Sequence, residues 1–209
     1  KSDYNPLELL GKIRPELYGD NYNLLAKASE AFTSMRSAAL KECIKIYSVS
    51  SYRSFEHQKG IWNRKYQKYI GRSMSPDKAI NKIIEYPTIP GTSRHHWGTD
   101  LDIIDKSKPV PSDPLSAEHF KPGGLYETLG EWLKKNANRF GFYEVYTDDP
   151  ERKGFKYEPW HYSFKELSKP MLEALPGHRR RHRGQECHHR VDWLGFDRHV
   201  AVKGWDGDP

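Results

Sequence analysis

Apolar residues recur at three- and four-residue steps over roughly positions 22 to 43, where Leu25, Ala28, Phe32, Met35 and Ala39 fall on one face. That period predicts a helix, with Asp20 or Asn21 as its N-cap. A β-type run, IKIYSVS at 44 to 50, follows it. Ser54 then caps a second helix whose Phe55, Trp62, Tyr66 and Tyr69 form an aromatic stripe, the usual mark of a core-facing surface. Ser75 and Pro76, a cap followed by proline at the first helical position, start a third helix carrying Ala79, Ile80, Ile83 and Ile84 and ending near Pro87.

From Lys106 to Gly124 the period is lost, and four prolines and two glycines read as a long surface excursion. A fourth helix carries Leu125, Leu129, Trp132 and Leu133 and stops near Gly141. Beyond it, FYEVY and FKYEPWHYSF are joined by TDDPERKG, whose Asp, Pro and Gly are turn formers, so a hairpin is expected. Helices early, strands late and no repeated βαβ rhythm predict an α+β fold, a small antiparallel sheet with helices packed on one face.

At 209 residues the chain suits one domain of ordinary size, able to bury a core without metal or disulfide staples. Its 36% hydrophobic and 13% aromatic content reads as globular, and no apolar run is long enough to predict a membrane span. Two cysteines, Cys43 and Cys187, make neither a disulfide framework nor a metal knuckle. The chain opens on Lys1 rather than Met, which leaves room for a removed export signal.

Net charge is +6, compatible with nucleic acid, anionic lipid or an anionic wall polymer as partner. The charge is unevenly placed: residues 1 to 176 carry 27 basic and 23 acidic groups, while HRRRHR at 178 to 183 has no acid. The division expected is therefore a main body over 1–176 and a basic, His/Arg-rich extension over 177–209.

Chemistry concentrates in two places. GTSRHHWGTDLDIID, from Gly91 to Asp105, holds His95, His96 and three aspartates. As a strand, DLDIID sets Asp100 and Asp102 on one face and Leu101 and Ile103 on the other. His95 lies seven residues before Asp102 across a turn containing Gly98, a spacing that can bring imidazole and carboxylate to one point. The second cluster, YEPWHYS, offers Glu158 and His161. Two histidines and one carboxylate are the protein ligands of a catalytic zinc site with an open position, and a spare carboxylate suits the general base. His96 and Asp105 read as bystanders; Asp100 reads as an acceptor orienting His95 or as a group facing water.

SRHHWGTDLD resembles the SxHxxGxxxD signature of VanY-like D-alanyl-D-alanine carboxypeptidases, members of the LAS group of zinc peptidases that also includes hedgehog-type domains. YEPWHYS resembles the group's second motif, with Trp and His adjacent, and SSYRSFEHQ at 50 to 58 resembles its upstream YRS…Q element. Asp100 departs from the pattern, which commonly has a small residue there. The resemblance implies a hedgehog/D-Ala-D-Ala-peptidase-like fold and one catalytic Zn2+ held by His95, Asp102 and His161. It makes Glu158 the catalytic base and Arg53 the group that meets the oxyanion or the substrate carboxylate, with Gln58 and Ser93 as further substrate contacts. It also implies an exported envelope or periplasmic enzyme acting on peptidoglycan peptides, removing a terminal D-alanine; the oligomeric state is left open, with a monomer favoured. A peptidoglycan endopeptidase would use the same residues, and a non-catalytic zinc-bearing module would need neither Glu158 nor Arg53. Nucleic-acid binding by the tail lacks the interleaved aromatics such modules use, so no nucleic-acid partner is expected.

Overall fold

The computed structural model of the chain describes residues 4–85, 89–152 and 154–175. The basic extension, with HRRRHR and Cys187, lies outside the described residues, as does the expected boundary at 176. Four strands form one antiparallel sheet in the order β1 (Ile46–Ser50), β2 (Asp100–Asp105), β4 (His161–Phe164), β3 (Phe142–Glu144). Two strands far apart in sequence, β2 and β4, therefore lie side by side at the centre. Their register sets Asp100 opposite Ser163, Leu101 opposite Tyr162 and Asp102 opposite His161. The expected hairpin is present as β3 and β4, paired from Phe142 with Phe164 to Glu144 with Tyr162. The α+β architecture expected from the sequence is the one observed.

The core lies between this sheet and the helices α2 (Ala26–Leu40) and α5 (Glu127–Asn136). Phe32 and Met35 of α2, Leu129 and Leu133 of α5, and Leu101, Ile103 and Phe142 of the sheet are all fully buried in it. A smaller apolar cluster of Leu9, Trp97 and Met171 ties together the short α1 (Pro6–Leu9), the 3-10 turn Arg94–Trp97 and α6 (Lys165–Ala174). Among the described residues no helix is long and apolar enough to cross a membrane.

Three sequence expectations shift. The helix expected from position 22 begins at Ala26, and neither Asp20 nor Asn21 caps it. Tyr18 and Leu24 instead form a β-bridge, Asn21 turns the chain with φ +65°, and the Leu25 N–H bonds to the Gly98 carbonyl at 2.8 Å. Tertiary bonding there overrides good local caps. In α3 (Phe55–Ile70), Ser54 caps as expected, its hydroxyl accepting from the His57 N–H at 3.1 Å. The aromatic stripe, however, is only half-buried, and the buried residue of the helix is Gln58. α4 runs Pro76–Ile83 as the Ser-Pro start predicts. Finally, the excursion from 106 to 124 includes a 3-10 turn, Ala117–Phe120, whose Phe120 packs against Tyr126 and Trp160.

Candidate metal centre and cleft

His95 sits in the 3-10 turn Arg94–Trp97, which Gly98 ends with φ +67°. A Cβ there would come within 2.8 Å of the Leu17 side chain, so the left-handed turn that returns the chain into β2 requires glycine for both backbone and space. Asp102 follows on β2 and His161 opens β4 directly opposite. One ligand atom from each of His95, Asp102 and His161 lies within 4.8 Å of the others, and all three side chains are buried.

The tautomers follow from the hydrogen bonds. His95 Nδ1 donates to the Ser51 carbonyl at 2.7 Å, which leaves Nε2 with its lone pair facing Asp102 Oδ2 at 3.3 Å. His161 Nε2 donates to Asp100 Oδ1 at 2.8 Å, which turns Nδ1 toward Asp102 Oδ1 at 3.1 Å. That carboxylate oxygen is buried yet has no aligned hydrogen-bond donor. Lone pairs converging on one point with an orphaned buried oxygen are complementary to positive charge, and the N/N/O set suits zinc. The carboxylates draw positive charge to this point, here a proton on the His161 ring that a metal at Nδ1 would displace. Burial disfavours the charged His161 ring, but its bond to Asp100 and the adjacent Asp102 carboxylate win and hold its pKa up at about 9. Burial also opposes ionisation of Asp102, which His95 and His161 nevertheless hold well below the usual carboxylate range.

Glu158 stands three residues before His161 in the turn leading into β4, its Oε2 3.6 Å from His161 Nδ1. Burial pushes its carboxyl up to about 7, against the pull of His161, Arg53 and Arg152. A carboxyl with a pKa near neutrality next to a metal-type donor set suits proton transfer in both directions. Arg53, just before α3, donates from one guanidinium nitrogen to Asp102 Oδ2 at 3.3 Å and from the other to Gln58 Oε1 at 3.0 Å. Gln58 is fully buried behind Arg53, so it does not meet the cleft as a direct contact would. Ser93 lines the cleft beside His95.

This cleft holds about 690 Å³. Its floor is the metal-type cluster with Glu158; His57, Ile61 and Lys65 of α3 form one wall, and Leu115 to Glu118 of the excursion line it as well. The excursion, patternless in sequence, is thus part of the site. Lys65 is half-buried here, and burial lowers its pKa against the nearby charges of Asp113 and Glu158. Tyr146 and Trp160 add aromatic lining.

Two bystanders are structural. His96 donates from Nδ1 to the Arg53 carbonyl at 2.6 Å and accepts from the Gly91 N–H at Nε2, 3.0 Å away. Burial holds it neutral, with a pKa of about 4. Asp105 accepts from the Lys45 and Ser107 N–H groups at 3.0 and 2.9 Å. Asp100 neither orients His95 nor faces water. It is fully buried and meets His161, because the register of β4 on β2 brings that ring over it. Around it stand groups that no motif marked: Arg94, Thr99, Ser163 and Tyr143.

The chain is similar to several known proteins. The D-alanyl-D-alanine carboxypeptidase of Enterococcus faecalis is 26% identical over 164 residues, 77% of this chain and 55% of its own length. The chain spans about half the length of the curated relatives it matches. Two solved structures share the fold. A VanY D,D-pentapeptidase variant from a VanB-type resistance cassette, in complex with Zn(II), is 24% identical with a TM-score of 0.57, covering 77% of this chain and 84% of its own. LdcB, an LD-carboxypeptidase whose structure addresses peptidoglycan recognition, is 23% identical with a TM-score of 0.56, covering 85% and 82%. The family VanY, D-alanyl-D-alanine carboxypeptidase, matches residues 21–167, a span that contains every strand of the sheet and all three donors of the His-Asp-His cluster. The chain is a member of the VanY family.

Proposed function

We propose that the chain is a zinc-dependent carboxypeptidase that removes a terminal D-amino acid, D-alanine, from peptidoglycan stem peptides, with His95, Asp102 and His161 as the metal ligands. The observation that carries this reading is the convergence of three buried donors beside Glu158 at the floor of the cleft. When bound there, zinc supplies Lewis acidity to the scissile carbonyl and brings the pKa of water down to about 7.

The chain's own groups do the rest. Glu158 takes a proton on its carboxylate and returns it to the leaving amine, for which a pKa near 7 is suited. Arg53, fixed by Gln58 and Asp102, presents a cation at the cleft for the substrate's free carboxylate or the developing oxyanion. Gln58 acts through Arg53, and Ser93 borders the position of the bound peptide. This cation favours cleavage at a free C-terminus over cleavage within a chain. Glu158 and Arg53 at the cleft also favour an enzyme over a zinc-bearing recognition module. By the same reading the protein works in the bacterial cell envelope or periplasm, where its substrate lies.

The test is to incubate zinc-loaded protein with stem peptides ending in D-Ala-D-Ala or in a single D-Ala and identify the product by mass. Release of one terminal D-alanine, abolished by chelator and restored by zinc, is expected. Cleavage within the peptide instead assigns an endopeptidase, and release from the single-D-Ala peptide alone assigns an L,D-carboxypeptidase.

A further inference from the structure

Asp100 lies two residues before Asp102 on β2, so one face of one strand presents both carboxylates to His161. The ring is gripped on both sides: Nδ1 faces Asp102 Oδ1 at 3.1 Å and Nε2 donates to Asp100 Oδ1 at 2.8 Å. Asp100 is in turn held at every corner. Its Oδ1 also accepts from Arg94 Nε at 2.8 Å, and its Oδ2 accepts from Thr99 Oγ1 at 2.6 Å and Ser163 Oγ at 2.8 Å. Arg94 is itself fixed, bonding Ser163 Oγ at 2.8 Å and Tyr143 Oη at 3.0 Å while its guanidinium lies 4.7 Å over the Trp97 ring. A fully buried carboxylate with four donors has no freedom to choose another partner.

Resting on the proposed zinc site, we propose that Asp100, clamped by Arg94, is a positioning residue that fixes His161 with Nδ1 directed at the metal and strengthens it as a ligand. A carboxylate accepting the far N–H of a ligating imidazole sets its tautomer and raises its basicity, and loss of such a partner costs about 10–100-fold in metal affinity. Arg94 makes the arrangement tenable by offsetting a charge that would otherwise be buried alone. The alternative is that Asp100 serves Arg94, and the His161 contact is incidental.

Those two are separated by zinc affinity, measured by competition with a chromophoric chelator on the full 209-residue chain. In the double variant Arg94→Met/Asp100→Asn the buried charges leave together, so neither is stranded. Zinc should then bind about 10–100-fold more weakly. Asp100→Asn alone keeps the side-chain shape and serves if the double variant does not fold; it should also weaken zinc at least tenfold, a threshold taken from the same range. Imidazole nitrogen NMR of the zinc-loaded parent should place the His161 proton on Nε2. Affinity unchanged in the variants, or a His161 proton on Nδ1, overturns the proposal while the zinc reading stands. Failure of the parent chain to bind zinc overturns both.

Discussion

From Asp100 to Ile103 the two faces of β2 are equally buried and chemically opposite. Leu101 and Ile103 enter the core beside Phe32, Met35 and Phe142, where contact is non-directional and an apolar side chain of similar volume serves nearly as well. Asp100 and Asp102, alternating with them, are held by partners at stated atoms: His161 by both, Arg94 by one and Arg53 by the other. A strand buried on both sides can therefore carry a packed interior and a charged centre at once. On one face substitution is a question of volume; on the other it is a question of partners.

The strongest way to break this contrast is at the polar face. Glu158→Ala should retain a full complement of zinc while kcat falls by about 10²–10⁴-fold, read by parallel metal analysis and turnover of a D-Ala-D-Ala peptide. Retained turnover would remove Glu158 from the reaction. His161→Ala should lose both activity and metal, with the apparent zinc affinity dropping at least about 100-fold; stoichiometric zinc in that variant would refute the ligand assignment. The apolar face answers differently. Leu101→Ala should cost about 2–5 kcal/mol in denaturant unfolding, yet the folded fraction should bind zinc as the parent does. Loss of metal affinity by the folded protein would show that the faces are not independent. Smallest is Gln58→Ala, which frees one end of Arg53: KM for a carboxylate-ended peptide should rise by about tenfold, with zinc content unchanged. An unchanged KM would place the hold on Arg53 in Asp102 alone.

This contrast also explains what was legible in the sequence. The apolar face was readable from period alone, since Leu25 to Ala39 and Leu125 to Leu133 repeat at helical steps. The donors were readable because His95 and Asp102 are close in sequence and Glu158 and His161 are closer, so local motifs held them. The partner of Asp100 was not. Alternation put it on the face of Asp102, but only the pairing of β2 with β4, some sixty residues apart, decides that it meets His161 rather than His95. Lys65 and the segment Leu115 to Glu118 were equally hidden, because a cleft wall needs only a position in space and leaves no period behind. α6 carries Pro170 in its interior, a residue that argues against a helix there. The aromatic stripe of α3 misled in the other direction: regular spacing signals one face, and that face is only half covered.

Three bonds cross-lace the segment before α3 to the histidine turn: His95 Nδ1 to the Ser51 carbonyl, the Arg53 N–H to the His95 carbonyl, and His96 Nδ1 to the Arg53 carbonyl. Their consequence lies in time. Neither strand of this lacing can open to solvent without the other, so the Arg53 amide and the Gly91 amide, which bonds His96, should exchange their protons at a common rate. Zinc bound at the proposed site should slow both by one factor, as the arm that carries Arg53 and the arm that carries His95 share a single opening event.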